Sequence, residues 1–215
     1  MLPYSREVLY SLFAELNTRF LFVQIIASLL FLFLALNYLN QKFNQRISFA
    51  LMALLWAACA YFWFFQTFAE INFLAPTYGI LALIQACLLA IASLRSTANK
   101  NKSSIHPTSI VLIAIAFLWP LIDLFAGPGW PLVRFPGLHL SPLILLLIAY
   151  NQEISKSLGI TLITIPLLFS IVIGFQAYVL NIHYDLLIPV IVAIFGYSKI
   201  FKSHKSYSNK TAKSD

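Results

Sequence analysis

The sequence predicts an all-α protein, a polytopic bundle of transmembrane helices. Of its 215 residues, 60% are hydrophobic and only 10% are charged, whereas soluble domains average about 45–50% and about 25%. The mean hydropathy is +0.85, so the chain has too little polar surface to cover a water-soluble globule. The apolar residues also form long continuous runs rather than alternating with polar ones, which favours helices over the strands of a membrane barrel.

Residues 1–19 predict a short amphipathic helix lying at the membrane interface. Apolar side chains share one helical face over residues 4–18, and polar ones share the other: Val8, Leu9, Leu12, Phe13 and Leu16 against Arg6, Glu7, Ser11 and Glu15. This periodicity is typical of a helix that lies on a bilayer. A cleaved signal peptide is disfavoured, because acidic and basic residues are mixed and no clear small-residue cleavage site follows.

Residues 20–202 predict the membrane-embedded bundle. A helix that crosses the hydrocarbon needs about 20 mostly apolar residues. Seven charge-free runs lie in this region, at 20–41, 47–69, 71–94, 103–122, 135–152, 157–184 and 186–198. The seventh run is short, but Lys199 and Lys202 can snorkel and extend it, while Pro136, Gly137 and Pro142 interrupt the fifth. Seven spans are favoured, and six spans with a re-entrant fifth segment are the alternative.

The distribution of Lys and Arg predicts the orientation. If all seven runs cross, eleven of the 14 basic residues fall on one side, and only Arg6, Arg19 and Arg134 on the other. Cytoplasmic loops carry the excess of Lys and Arg, so we expect the N-terminus outside and the C-terminus in the cytoplasm, in a bacterial inner (plasma) membrane. With six spans, Lys156 and the tail lysines would leave the side that carries the loops at 42–46 and 95–102.

The tail at 203–215 is rich in Lys and Ser and is expected to be a disordered cytoplasmic segment. Its lysines can hold it to anionic lipid heads, at about 1 kcal/mol each near the surface. The net charge of +7 comes mostly from cytoplasmic-side residues, so no nucleic-acid partner is expected. The bilayer is the expected partner, and a homo-oligomer is an open possibility.

The same topology brings scarce polar residues to the outer side. An aromatic run at 61–68, most simply an interfacial belt and helix packing, comes before the outer loop between the second and third spans. Asp123 ends the fourth span and should face protein, because a charge in lipid costs about 2.5–3.5 kcal/mol. Arg134, across a Gly/Pro-rich turn, is its expected ion-pair partner. The candidate outer-side cluster is Glu70, Asn72, Asp123, Arg134, His139, His183 and Asp185.

The chemistry of this cluster leaves two functional hypotheses. The favoured one is a non-enzymatic membrane protein, either a small permease or channel-like bundle or an accessory subunit, with a polar outer vestibule. The alternative is a membrane-embedded enzyme that uses Glu70, His139, His183 and Asp185 as acid and base or around a metal. No cofactor or metal is predicted, because these residues show no ligand spacing and Cys59 and Cys87 fall inside apolar runs.

Short elements along the chain resemble a known family. Over Tyr61–Gly79 an aromatic run is followed by Ile71-Asn72, and later come Gly127-Pro-Gly-Trp-Pro131, Phe135-Pro-Gly137, Ser141-Pro142 and Asp185. In order and length these resemble an uncharacterised bacterial family of multi-pass membrane proteins, over nearly the whole chain. The His that is usual after the first aromatic is replaced by Phe62, and the Cys usual near Pro142 is missing. The resemblance implies the architecture and brings no assigned activity.

Overall fold

The computed structural model describes residues 2–40, 44–96, 106–125, 127, 129–151 and 156–195. Within these ranges the chain is helical and contains no strand, only an isolated bridge between Pro136 and His139. The predicted all-α class is therefore confirmed. The basic tail predicted at 203–215 lies outside the described residues.

Eight α-helices lie within the described ranges and form the bundle. They are α1 (Arg6–Arg19), α2 (Leu21–Leu39), α3 (Gln45–Ala58), α4 (Ala75–Arg95), α5 (Pro107–Phe125), α6 (Leu140–Asn151), α7 (Lys156–Val179) and α8 (187–195). A π-helical segment, Cys59–Thr67, and a 3-10 turn, Phe68–Glu70, continue α3, and a second 3-10 turn, His183–Leu186, leads into α8. Five helices in these ranges are long and apolar enough to cross a membrane: Leu21–Leu39, Gln45–Glu70, Ala75–Arg95, Pro107–Phe125 and Leu158–Val179. The protein is a multi-pass membrane protein, and the count of seven crossings stays a prediction.

The fifth apolar run differs from a simple span. Its helix, α6, has 12 residues, all of them buried, and its length of about 18 Å is well short of the roughly 30 Å hydrocarbon layer. The predicted run at 135–152 therefore begins as non-helical chain at Pro136 and Gly137, whereas Pro142 lies in the first turn of α6, where a helix tolerates proline. Non-helical backbone within a membrane is tolerated only where protein surrounds it. The non-helical chain that precedes α6 meets this condition by packing inside the bundle with α6, all of whose residues are buried.

Hydrogen bonds show how this segment runs through the bundle. Ser28 Oγ, two turns into α2, donates to the Pro136 carbonyl at 2.8 Å. At the other end Ser109 Oγ, near the start of α5, donates to the Ala149 carbonyl at 3.0 Å, and Tyr150 Oη donates to the Leu34 carbonyl at 2.7 Å. The non-helical chain and α6 together therefore run antiparallel to α5, from its end back to its beginning.

The N-terminal helix packs on this inner segment. Its predicted apolar face is buried in protein at Leu9, Leu12, Phe13 and Leu16, while Val8 stays exposed. Asn17, in its last turn, donates from Nδ2 to two loop carbonyls, that of Pro131 at 3.0 Å and that of Val133 at 2.7 Å. The face expected to enter lipid therefore holds α1 against the bundle; its place at the membrane interface stays a prediction.

Replacing Asn17 with Leu should destabilise the protein by about 1–3 kcal/mol, because two carbonyls at a buried position lose their donor. Chemical unfolding in one detergent, followed by far-ultraviolet circular dichroism, measures the change. Thr18→Ala is the neighbouring control: its exposed hydroxyl bonds only to carbonyls of its own helix, so its effect should stay within about 0.5 kcal/mol. Equal effects of the two substitutions would contradict the anchoring role of Asn17.

The aromatic run forms the π-helical segment and turns mostly inward. Trp63 and Phe64 are buried, as is Phe68 in the following turn, whereas Tyr61 is exposed. Thr67 Oγ1 donates to the Phe62 carbonyl five residues earlier at 2.9 Å, which helps to satisfy the wider turn. π-helical turns are rare and often occur at functional sites, and this one supplies aromatic walls to the cavity described below.

Candidate functional site

The most concentrated polar site is a buried ion triad. Arg134 binds Asp123 through Nη2–Oδ1 at 2.6 Å and Nε–Oδ2 at 3.0 Å. It binds Asp185 through Nη1–Oδ2 and Nη2–Oδ1, both at 2.8 Å. The backbone N–H of Arg134 also donates to Asp123 Oδ2 at 2.8 Å. Paired bonds of this kind fix the orientation of all three side chains.

Local sequence explains how the first pair forms. Asp123 lies in the last turn of α5, and a Gly/Pro turn then folds the chain back toward Arg134. Gly127 permits the close approach, because a Cβ there would lie 2.7 Å from both the Asp123 carbonyl oxygen and Tyr184 Oη. Gly129, with φ of +77°, donates its N–H to the same carbonyl at 3.2 Å.

The second carboxylate comes from the connection between α7 and α8. Asn181, with φ of +56°, ends the helical path of α7, and the N–H of Asp185 donates to the Ile182 carbonyl at 3.0 Å in the following 3-10 turn. This tight turn directs the Asp185 side chain into the protein, where it is 6% exposed. The two acids thus reach Arg134 from the end of α5 and from the turn that follows α7.

Aromatic rings enclose the guanidinium. Its Cζ lies 5.4 Å from the ring centre of Phe13, 5.7 Å from that of Trp119 and 5.5 Å from that of Tyr184. Burial works against the charged form, but the charges of Asp185 and then Asp123 hold the pKa of Arg134 well above its ordinary value. Burial raises the pKa of Asp185, and Arg134 opposes that shift. The arginine is therefore a permanent cation in this site.

The triad carries a formal net charge of −1, since one guanidinium faces two carboxylates. Each carboxylate oxygen accepts a hydrogen bond from the arginine, and four of the five guanidinium N–H groups are engaged. Asp123 is 1% exposed and Arg134 is 6% exposed, so water screens this charge weakly. An unbalanced charge at such a position is costly.

A cavity of about 60 Å³ adjoins the triad. Its polar wall consists of Arg134, His139, Ser141, Gln176 and Asp185. Its aromatic wall consists of Phe13, Trp63, Phe64, Phe68, Tyr78 and Phe169. The space is sufficient for several water molecules or for one solute of a few heavy atoms.

His139 is the unusual member of the polar wall. It is 2% exposed, its ring lies edge-on to Phe13 at 5.2 Å and 5.5 Å from Trp63, and its Nε2 is buried without a hydrogen-bond partner. Burial and the nearby charge of Arg134 both disfavour the imidazolium form. The neutral ring therefore has acceptor capacity to offer to a bound molecule.

The structure brings together four of the seven predicted site residues, Asp123, Arg134, His139 and Asp185. The other three lie elsewhere. Glu70 is half-exposed and 3.7 Å from Arg19, and Asn72 Oδ1 accepts from the Leu74 N–H at 3.0 Å in the turn before α4. His183 is exposed and lines a separate outer pocket of about 420 Å³.

These positions bear on the enzyme hypothesis. Glu70 and His183 are exposed to the outside of the bundle, whereas His139 lies between two aromatic rings and Asp185 is bonded to Arg134. The four do not share one site. Across the described ranges, no group of three or more His, Cys, Asp or Glu side chains is placed to hold a metal ion.

Sequence reasoning named Asp185 but missed its pairing with Arg134 and the aromatic residues that complete the site. That pairing joins positions 51 residues apart, and nothing local signals it. Trp119 did carry a signal, because it lies four residues before Asp123 and therefore on the same helical face. The ring of Tyr184, next to Asp185, also belongs to the enclosure, and its Oη lies 3.3 Å from Tyr10 Oη.

Comparison with known proteins yields one family. The model of a family described as "Family of unknown function (DUF6064)" matches residues 6–211. This match confirms the resemblance to an uncharacterised family that the short elements indicated. No curated protein and no solved structure matches the chain.

Proposed function

The chain belongs to the family of unknown function DUF6064, and we propose that it is a non-enzymatic membrane protein that admits a small polar solute into the cavity beside Arg134. This is the permease or channel-like form of the predicted function. The observation that carries it is the cavity itself, which places polar side chains and aromatic rings around a small space inside an apolar bundle. Polar groups at membrane depth are costly and mark solute pathways.

We further propose that the cavity opens toward the outside of a bacterial inner (plasma) membrane, with the N-terminus outside and the C-terminus in the cytoplasm. The excess of Lys and Arg in the other loops supports this orientation. Asp123 lies at the C-terminal end of α5 and Asp185 follows α7, so both mark that outer end. Ile182 lines both the cavity and the outer pocket, which supports the outer pocket as the entrance.

The lipid bilayer surrounds this bundle, which exposes large apolar side chains along its long helices. Anionic lipid heads at the basic tail and association with further copies of the chain also belong to the proposal. An acid–base enzyme is disfavoured, because the carboxylates near His139 are already bound to Arg134.

Solute entry into proteoliposomes tests the proposal. Stopped-flow light scattering compares vesicles containing the full chain with empty vesicles, using urea, glycerol, methylammonium chloride and sodium acetate as probes. At least one probe should enter faster through the protein. Ala177→Leu, which fills the cavity wall at a residue that is 1% exposed, should return that rate to the level of empty vesicles.

Ala90→Leu is the matched control, because it makes the same change at an exposed position of α4. It should leave the rate unchanged, while size-exclusion chromatography shows that both variants are folded. If none of the four probes enters faster than into empty vesicles, solute passage is wrong and the accessory-subunit hypothesis replaces it. If Ala90→Leu slows entry as strongly as Ala177→Leu, the cavity is not the route.

A further inference from the structure

We propose that the cavity selects a small protonated amine, of the size of ammonium or methylammonium. The assignment of this amine as the substrate rests on the proposed function. Its binding to the cavity can nevertheless be measured separately from its transport across the membrane. Three features of the site support the choice: the formal charge of the triad, the aromatic wall and the acceptor groups carried by lining residues.

The charge of the triad favours a cation. One guanidinium faces two carboxylates, so a monovalent cation in the adjoining space would bring the buried total to zero. Asp185 lines the cavity directly and is the carboxylate closest to a bound molecule there. An anion is disfavoured, because only one guanidinium N–H group of Arg134 is not bonded to a carboxylate, and the two carboxylates would repel a bound anion.

The aromatic wall favours an organic or ammonium cation over a solute of no charge. Rings of Trp63, Phe64, Phe68, Tyr78 and Phe169 line the same space. The faces of such rings attract a cation with an energy that grows when water is excluded. Trp63 and Phe68 stack with their centres 5.3 Å apart, which makes a rigid part of this wall.

The acceptor groups favour a cation that donates hydrogen bonds. His139 is neutral and carries a buried nitrogen without a partner. Gln176 donates its Nε2 to Tyr4 Oη at 2.5 Å, which leaves its carbonyl oxygen as an acceptor, and Ser141 adds a hydroxyl. A metal cation such as sodium or potassium needs a shell of several oxygen ligands, whereas an ammonium group is satisfied by a nitrogen acceptor and ring faces.

Titration of the purified full chain with methylammonium chloride, against a constant background of sodium chloride, tests this inference. Binding is followed by calorimetry, and the wild type should bind saturably at neutral pH. Asp185→Asn removes the charge and keeps an acceptor for Arg134, so it should weaken binding about tenfold or more. Glu70→Gln makes the equivalent change at an acid outside the cavity and should bind like the wild type.

Ala177→Leu leaves every charge in place and should abolish binding by occupying the space, so it decides the question if Asp185→Asn fails to fold. Absence of saturable methylammonium binding to the folded wild type overturns the inference. Binding that Ala177→Leu leaves unchanged overturns it too. If urea, glycerol or acetate enters vesicles while methylammonium does not bind, the substrate class is wrong and the proposed function stands. If methylammonium binds but crosses no faster than into empty vesicles, and the other probes also fail, the site stands and the proposed function fails.

Discussion

Replacing Arg134 with methionine is expected to destabilise the protein by about 3–5 kcal/mol. Methionine approximates the length of the side chain but removes all the bonds that it makes to Asp123 and Asp185. Two carboxylates, 1% and 6% exposed, would then face each other without a counter-charge. Chemical denaturation in one detergent measures the loss in the free energy of unfolding, and thermal unfolding in the same detergent gives the accompanying change in Tm.

Two comparisons show whether charge is the cause. Arg19→Met removes an arginine whose side chain is 48% exposed and whose partners are Glu15 and Glu70, so it should cost no more than about 1 kcal/mol. Adding Asp123→Asn and Asp185→Asn to Arg134→Met removes the stranded charges and should recover part of the stability. An Arg134 variant as stable as the Arg19 variant would contradict the buried triad.

Replacing Gly137 with alanine is expected to cost about 3 kcal/mol or more, because strain and crowding act together. Its φ is +113°, a conformation that side chains rarely adopt. A Cβ at this position would lie 2.6 Å from the backbone carbonyl carbon of Ala27 in α2. The loop would have to leave α2, and with it the hydrogen bond from Ser28 to the Pro136 carbonyl. Unfolding under the same conditions measures the effect.

Gly129→Ala separates the two causes. Gly129 also has a positive φ, +77°, but no atom lies within 4 Å of where its Cβ would be. Only the conformational strain remains, so this variant should lose about 1–2 kcal/mol. If both variants lose the same amount, the close approach of the 129–139 segment to α2 is wrong.

The class of the fold followed from hydropathy and one part of the site from charge. Charged residues are so scarce in this chain that the segments between them mark the apolar runs, and the continuity of these runs favours helices over a barrel. The pair of Asp123 and Arg134 was predictable for the same reason: a charge at the end of an apolar helix needs a partner, and one arginine lay across a turn.

The remaining features of the fold and of the site depend on which apolar residues face protein and which face lipid. Hydropathy does not distinguish these two environments. The run at 135–152 contains apolar residues because it is the centre of the bundle, with α6 buried on every side, not because it contacts lipid. The inward turn of Trp63 and Phe64 depends on the π-helical register, which composition does not specify. The second partner of Arg134, Asp185, becomes visible only when α7 is packed in place.

We propose that the buried triad of net charge −1 adjoins a cavity that holds a small cation. An experimental structure of the full chain in lipid, determined with and without methylammonium chloride, is the decisive measurement. We expect Arg134 between Asp123 and Asp185 in both structures, with additional density in the cavity between His139, Asp185 and Trp63 when methylammonium is present. A cavity filled by rotated aromatic side chains, identical in both structures and with the two carboxylates apart from Arg134, would contradict it.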